Sequence, residues 1–523
     1  MNKFLKDAIL YEIYPTSFYD GNDDGIGDFV GITQKLDYVK SLGANLIWIN
    51  PFYPSPFLDG GYDIIDFKDV DPRFGTMSDF ETFVKRCKEL DIKVLIDMVL
   101  GHTSMECMWF KESSKSEKNK YSDYYIWAPT KTTPKMVMGM NQRDGGFYAN
   151  YFASQPALNY GWSTKGEGEE EDFKMLYSDE KLIPLRNEMI DIMKFWLKKG
   201  VSGFRVDCAS DLVKYDEFDF TFEDDKTIAG NKWIWEKLMG AVKEEYPDCI
   251  FLAEWVYPKT SVGKVGFDFD YLAHDCAEYS SLFKNEPHTN LSRSLEHGYN
   301  YFSKEGKGSC KLLVKYSKQI LAAINQKGYF SIPTGCHDEI RMASGIKDNE
   351  VAKTFFAFML TFKNIPFIYY GDEIGIRHNY ELRKDGGGIR TGARTPMQWD
   401  NSKNRGFSTS DVTYLPTNDD CGIDVQDQEK DEKSLLNCVK ELIRIRKKYS
   451  FLNADADIEF IKTGYPLVYK RKDRSGSAII MINPSDRTYI KKVRYKSIIA
   501  SLNCEFGKNK IVLKGQSYII IQE

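Results

Sequence analysis

The feature that most narrows the fold is a recurring pair: a short apolar run rich in β-branched residues, then a segment of helical periodicity. Residues 44–51 (ANLIWINP) and 93–100 (KVLIDMVL) read as strands buried on both faces, as parallel sheets require. Similar runs follow at 203–207 (GFRVD), 249–255 (CIFLAEW), 330–337 and 365–370. Between the first two, a helix is predicted from about Ser78. Ser78 and Glu81 have capping-box spacing, and Phe80, Phe83, Val84, Cys87 and Leu90 share one face. A second helix is predicted from Asn187, with Ile190, Met193, Trp196 and Leu197 inward and Gly200 as its stop. Such β–α units build either an open doubly wound sheet or a closed barrel. The acids separate the two. Asp97, Asp207, Glu254 and Asp338 fall near the C-terminal ends of four different runs, as around the rim of a barrel. An open sheet gathers its site at one switch point. The expected fold is an α/β (β/α)8 TIM barrel.

Two stretches break the alternation. Residues 103–175 are polar, aromatic and glycine-rich, with a charge run at 166–172, and read as an inserted lid (B) domain roofing a site. After a helical pattern at 433–449, short alternating strands at 467–470, 478–483 and 518–522 point to a C-terminal antiparallel β-sandwich domain. The expected boundaries are thus 1–102 and 176–449 for the barrel, 103–175 for the insertion and 450–523 for the all-β domain.

Composition excludes other classes. A net charge of −5 offers no basic field for nucleic acid. No run of about 18 apolar residues occurs, so no membrane span is expected. Ten scattered cysteines without a C-x-x-C pair argue against a disulfide framework or a zinc site and favour a cytoplasmic setting. Cys87, Cys208, Cys249 and Cys336 read as small core hydrophobes.

Asp207 and Glu254 end successive strand runs, and neighbouring strands lie about 4.8 Å apart. That suits a retaining glycosidase, whose two carboxyl groups sit about 5–5.5 Å apart. Arg205 lies on the same side of its strand as Asp207 and is expected to keep it ionised. Four segments, Asp97–His102 (DMVLGH), Gly203–Asp207, Ala253-Glu254-Trp255 and Cys336-His337-Asp338, resemble the four ordered signature regions of the α-amylase superfamily, glycoside hydrolase family 13. The resemblance runs from Tyr11-Glu12-Ile13-Tyr14-Pro15 through nearly the whole chain. It implies Asp207 as nucleophile, Glu254 as general acid/base and Asp338 as a transition-state stabiliser, with His102, Arg205 and His337 completing the sugar subsite. Gly61-Tyr62-Asp63, Gln155–Asn159 (QPALN) and Arg394–Trp399 (RTPMQW) are similar to oligo-1,6-glucosidases, α-glucosidases and trehalose synthases. That narrower likeness implies a pocket where Tyr62, Asp63 and Arg394 receive a terminal glucose, and exo action on α-1,4 or α-1,6 bonds of short α-glucosides. Gly101, Ala157, Cys208 and Cys336 depart from residues usual in the family, which leaves the linkage open. Glucosyl transfer or isomerisation, as in trehalose synthase, stays as an alternative. A non-catalytic barrel homologue is disfavoured by the three carboxylates.

Near the start, residues 20–28 (DGNDDGIGD) reproduce the first nine positions of an EF-hand loop, while the twelfth position is Gly31 rather than Glu. Alternating hard oxygens around a glycine turn suit structural Ca²⁺, or Mg²⁺ with extra waters. The segment is also similar to the divalent-ion loop of oligo-1,6-glucosidases. The expected ligands are Asp20, Asn22, Asp24, Asp28 and the Ile26 carbonyl; no organic cofactor is expected.

Overall fold

Eight short apolar runs pair side by side in parallel: β1 (Leu10–Ile13), β2 (Leu46–Ile49), β3 (Lys93–Met98), β4 (Gly203–Val206), β5 (Ile250–Ala253), β6 (Phe269–Tyr271), β7 (Tyr329–Pro333) and β8 (Ile365–Tyr369). This is a computed structural model; it describes the chain apart from residues 1, 132, 140, 167, 169–170, 216–224, 274–275, 285–298, 419–421, 493–494 and 508–509. Each strand hydrogen-bonds to the next in sequence, and β8 returns to β1, with Phe367 opposite Leu10, to close the expected barrel. Closure leaves no free edge, and both faces of every strand are covered. Alternation divides the side chains: Leu10, Leu46, Trp48, Leu95, Leu252 and Phe367 fill the interior, whereas Tyr11, Ile47, Ile96, Phe204 and Ile368 pack outward against helices. Strand β6, only three residues long, carried too little apolar sequence to be noticed.

The helices form where predicted but begin earlier. Helix α1 (Met77–Glu89) is capped by a reciprocal Thr76–Asp79 box rather than by Ser78 and Glu81. The hydroxyl that precedes the first turn wins, because only there are backbone N–H groups unpaired. Helix α2 (Ile183–Lys198) starts with Pro184 in its first turn, four residues before Asn187. Gly200, at φ +99°, follows its C-terminus as expected.

Between β3 and α2, a three-stranded sheet forms from Trp127–Ala128, Met136–Met138 and Gly146–Tyr148. The charge run at 166–172 falls partly outside the described residues. Beyond helix α3 (Asn349–Thr361) and helix α4 (Leu435–Lys448), six antiparallel strands form the C-terminal domain: Asp457–Lys462, Leu467–Asp473, Gly476–Asn483, Tyr489–Lys492, Ser497–Gly507 and Lys510–Gln522. They make one sheet around the long last strand. Its alternation puts Tyr469, Ile480 and Ile520 against the barrel side, while Val468, Met481, Leu513 and Ile519 build a second small core on the opposite face. Two buried arginines serve this junction: Arg471 ties the sheet to the barrel, and Arg446, on helix α4, ties that helix to the end of α3 and the turn before β8. Arg471 donates to the carbonyls of Thr361, Leu452, Asn453 and Ala456, and Arg446 to those of Leu360, Phe362 and Asn364.

One buried acid gives the fold a pH signature. Glu373, just beyond β8, accepts hydrogen bonds from Tyr11 and Tyr38, each 2.7 Å long. Burial pushes its pKa up to about 7, although both tyrosines pull it down. An unfolded glutamate titrates near 4.3, so between about pH 4.5 and 7 the native protein holds a proton that the unfolded chain releases. Stability therefore declines as pH rises through that window. Glu373→Gln should remove this contribution. Its melting temperature relative to the parent should rise between pH 5 and pH 8, by the equivalent of up to about 3 kcal/mol. A difference that does not change with pH would mean that Glu373 is ionised in the native state.

Candidate active site

The strand register decides which side chains meet. Val206 pairs with Ala253, so the next residues, Asp207 and Glu254, leave their strands at the same level. Asp97 pairs with Arg205 on the other side of β4. An oxygen of Asp207 and one of Glu254 lie within 4.8 Å of each other, with the Cys208 thiol equally near. That separation falls on the retaining side of the roughly 5–5.5 Å versus 6.5–9.5 Å distinction between glycosidase geometries.

Arg205 organises the group. One of its terminal nitrogens donates to Asp97 (2.9 Å) and Asp207 (2.8 Å), while the other reaches Glu254 at 2.7 Å. The Cys208 backbone N–H donates to the same Glu254 oxygen at 2.9 Å, across a Cys208 backbone at φ +40°. Burial pushes Asp207 well above the usual carboxylate range; Arg205 opposes that, and Glu254 and Asp97 reinforce it. Burial likewise raises Asp97 to about 6. Arg205 therefore acts on Asp207 in the expected direction, towards the ionised form, but against burial and two neighbouring carboxylates. One guanidinium is divided among three carboxylates, and like charges this close retain a proton within the group.

The cavity in front of this trio has a volume of about 270 Å³ and is lined by Asp59, Tyr62, His102, Tyr151, Phe152, Asp207, Cys208, Glu254, Asp338 and Arg390. Asp338 accepts from Arg394 (2.6 Å) and Arg390 (3.0 Å). Burial works against its ionisation, but the guanidinium groups of Arg390 and Arg394 hold it well below the ordinary carboxylate range. Arg394 can come this close because residue 60 is glycine: at φ +59°, an added Cβ would lie 2.3 Å from an Arg394 nitrogen.

Both histidines are neutral. Burial drives His102 down to about 3 and His337 well below its ordinary value. His102 Nε2 donates to the Tyr62 carbonyl at 3.0 Å, which leaves Nδ1 to accept from Asn150 at 3.4 Å. His337 sits at the centre of a buried chain. Its Nε2 meets the Tyr62 hydroxyl at 2.8 Å, and that hydroxyl donates to Asp97 at 2.9 Å. Since the Tyr62 proton goes to Asp97, His337 Nε2 carries the proton of its own bond, and Nδ1 is left as an acceptor. Glu12 lies 2.7 Å from Nδ1, which the Asn50 amide nitrogen also reaches at 3.0 Å, and burial pushes Glu12 well above its ordinary pKa.

Of the sequence-derived residues, Asp207, Glu254, Asp338, Tyr62, His102, Arg205, His337 and Arg394 converge on this region. Asp63 does not. Its carboxylate accepts from Ser55 Oγ (2.8 Å), the Leu58 N–H (2.9 Å) and the Asp59 N–H (3.4 Å). It is buried beneath the loop, where it fixes the backbone that presents Asp59 to the cavity. Asp59 and Arg390 are the residues that sequence reasoning missed. They pair at 3.2 Å across the pocket mouth, and neither lies in a periodic segment. Cys208, expected in the core, lines the cavity instead. Gly101 has its own logic, since a Cβ there would lie 2.9 Å from the amide of Asn150, which occupies the space beside His102.

The loop at 20–28 lies outside this cavity. Asp20 accepts from the N–H groups of Asn22 (3.2 Å), Asp23 (2.8 Å) and Gly25 (2.7 Å), and from Ser408 Oγ at 2.6 Å. Asn22 and Asp24 each accept from the N–H two residues on, and Asp28 accepts from Gly21 and Gly31. Among the described residues the one cluster of three acidic, thiol or imidazole groups within 4.8 Å is Asp207, Cys208 and Glu254. Asp20, Asp24 and Asp28 are spread around the turn rather than gathered. The donors are hard oxygens of the type Ca²⁺ and Mg²⁺ take, so their chemistry fits such an ion.

A closed parallel barrel with paired carboxylates at its C-terminal rim defines a class, and the comparisons agree. The α-amylase catalytic-domain family matches residues 12–455, and the chain belongs to that family of glycoside hydrolases. It is similar to the oligo-1,6-glucosidase of Heyndrickxia coagulans, 31% identical over 93% of each chain. It also resembles the trehalose synthase/amylase TreS of Mycolicibacterium smegmatis, 28% identical over 85% of this chain and 76% of that one. The crystal structure of the trehalulose synthase MutB from Pseudomonas mesoacidophila MX-45 superposes with a TM-score of 0.83 at 25% identity, covering 99% of both chains.

Proposed function

We propose that the protein is a retaining, exo-acting α-glucosidase cleaving α-1,4 or α-1,6 bonds of short oligosaccharides. The observation that carries this reading is the approach of Asp207 and Glu254 within 4.8 Å over a small pocket. In it, Asp207 attacks the anomeric carbon while Glu254 gives its proton to the departing oxygen. Glu254 is placed for the acid role by its access to the cavity, through which the leaving group and then water pass: its side chain is 23% exposed, against 10% for Asp207 and 0% for Asp97. Water then attacks the glucosyl-enzyme, Glu254 takes back a proton, and the Asp207 carboxylate is released. Asp338, fixed by Arg390 and Arg394, binds the sugar and stabilises the oxocarbenium-like transition state. Tyr62, His102, His337 and Arg205 complete the subsite. Asp59 and Arg390, bridging the mouth, narrow it to the non-reducing end of a chain.

A second reading is transfer to a sugar acceptor on the same intermediate, favoured by the likeness to TreS and MutB. Chromatography of products from maltose, isomaltose, trehalose, sucrose and soluble starch separates the two. Glucose alone from maltose or isomaltose, with starch untouched, is expected; trehalose or longer sugars would replace hydrolysis by transfer. Asp207→Ala should lower turnover by roughly 10³-fold or more, with circular dichroism unchanged. Retained activity would remove the proposed nucleophile.

We also propose that the 20–28 loop takes a structural Ca²⁺, or Mg²⁺ with waters, through Asp20, Asn22, Asp24, Asp28 and the Ile26 carbonyl. Support comes from the alternation of hard oxygen donors along the loop and from its likeness to the divalent-ion loop of oligo-1,6-glucosidases. A native-state ligand stabilises by mass action. Chelation should therefore lower the melting temperature more than it lowers activity at 25 °C, and adding Ca²⁺ should restore it. An unchanged melting temperature would count against the ion.

A further inference from the structure

A second cavity, of about 250 Å³, adjoins the sugar pocket, and Tyr151 lines both. Its character is different. The catalytic cavity is walled by carboxylates, whereas this one holds two ammonium groups, those of Lys135 and Lys214. Both flank the Tyr148 ring, 5.6 and 5.9 Å from its centroid. Lys135 leads into the strand Met136–Met138 of the inserted segment. Lys214 follows the nucleophile's strand and is only 5% exposed.

Neither lysine has an ion-pair partner among the described residues. Lys214 donates to the Asn150 side-chain oxygen (2.8 Å) and to the Asp211 carbonyl (2.6 Å). The cavity's one carboxylate, Asp211, is engaged by Tyr151 (2.7 Å) and Ser210 (2.9 Å). Burial brings Lys214 down to about 8, with Asp211 opposing and the charge of Lys135 adding to the effect, so it remains cationic at neutral pH. Two ammonium groups and one carboxylate leave this cavity with a net positive charge, which an anionic group entering it would offset. The arrangement is also wired to the reaction centre, because Asn150 takes the Lys214 bond on its oxygen and gives one to His102 from its nitrogen.

We propose that this cavity is the subsite for the leaving group, and that it selects α-glucosides whose aglycone carries an anionic group, phosphate or carboxylate. The proposal rests on the α-glucosidase reading above. Glucose would occupy the first pocket, the bond broken would lie between the two cavities, and the departing anion would sit between the two ammonium groups. Lysines bind such groups as point charges, without the planar demands of arginine.

The α-glucosides of glycerol, glycerate and glycerol 3-phosphate form a matched series in which only the charge of the aglycone changes. We expect at least one anionic member to exceed the glycerol glucoside in kcat/KM by about tenfold, chiefly through KM, with the advantage shrinking at high salt. The better of the glycerate and phosphate members identifies the anion. Lys135→Ala, at an exposed position that does not endanger folding, and Lys214→Gln should each reduce the anionic-to-neutral ratio several-fold. Calorimetric titration of Asp207→Asn with the same glucosides reads the affinity order without turnover. If maltose or isomaltose is cleaved but the neutral glucoside is preferred, or the ratio survives both substitutions, this inference falls and the glucosidase reading stands. If no α-glucoside is turned over, the glucosidase reading falls, and the affinity order in Asp207→Asn alone decides whether the cavity binds anions.

Discussion

Everything at the rim depends on how one guanidinium is shared. Arg205 is buried in the barrel wall and bonds to three carboxylates from three adjacent strands, Asp97, Asp207 and Glu254. A single buried cation cannot neutralise three anions, so the cluster is stable only if it keeps a proton and remains partly hydrated on the cavity side. Those two conditions are also what glycoside cleavage asks for: one carboxylate able to attack, and another holding a proton beside it. The arginine thus sets position and charge together.

Barrel closure supplies the geometry that makes this possible. Adjacent strands leave Asp207 and Glu254 level, and the interior layer beneath them is packed by Trp48, Leu252 and Phe367. Behind the rim, a chain from Glu12 through His337 and Tyr62 to Asp97 runs across four elements. The Asn50 amide cross-links this chain at Tyr62 and His337, and Asp97 also accepts from Trp48 at 3.1 Å. Asp97 in turn shares Arg205 with the two carboxylates that face the cavity.

Much of this was legible in the chain because strands buried on both faces must be apolar, so acids at their ends stand out. The barrel, its order and the rim carboxylates were read from that contrast. The same reasoning had little to say about loops. Asp63 carried the family likeness, yet its carboxylate is used by its own loop, and Asp59, four residues earlier, reaches the cavity. Arg390 was passed over although it lies one helical turn before Arg394, since irregular backbone offers no period to read. At α1 the spacing of Ser78 and Glu81 imitated a cap that Thr76 and Asp79 actually make. Cys208 looked like core filler because composition cannot show that the chain turns to positive φ just after the strand.

The contact between Gly101 and Asn150 has a further consequence. Asn150 seats the segment inserted after β3 against the barrel rim, and its neighbours Tyr151 and Phe152 supply a wall of the sugar pocket. The eight strands could therefore stay closed while the pocket loses that wall, were the insertion to lift away. Competence is a property of the seam between two packing units, and it can be lost on heating before the barrel itself melts.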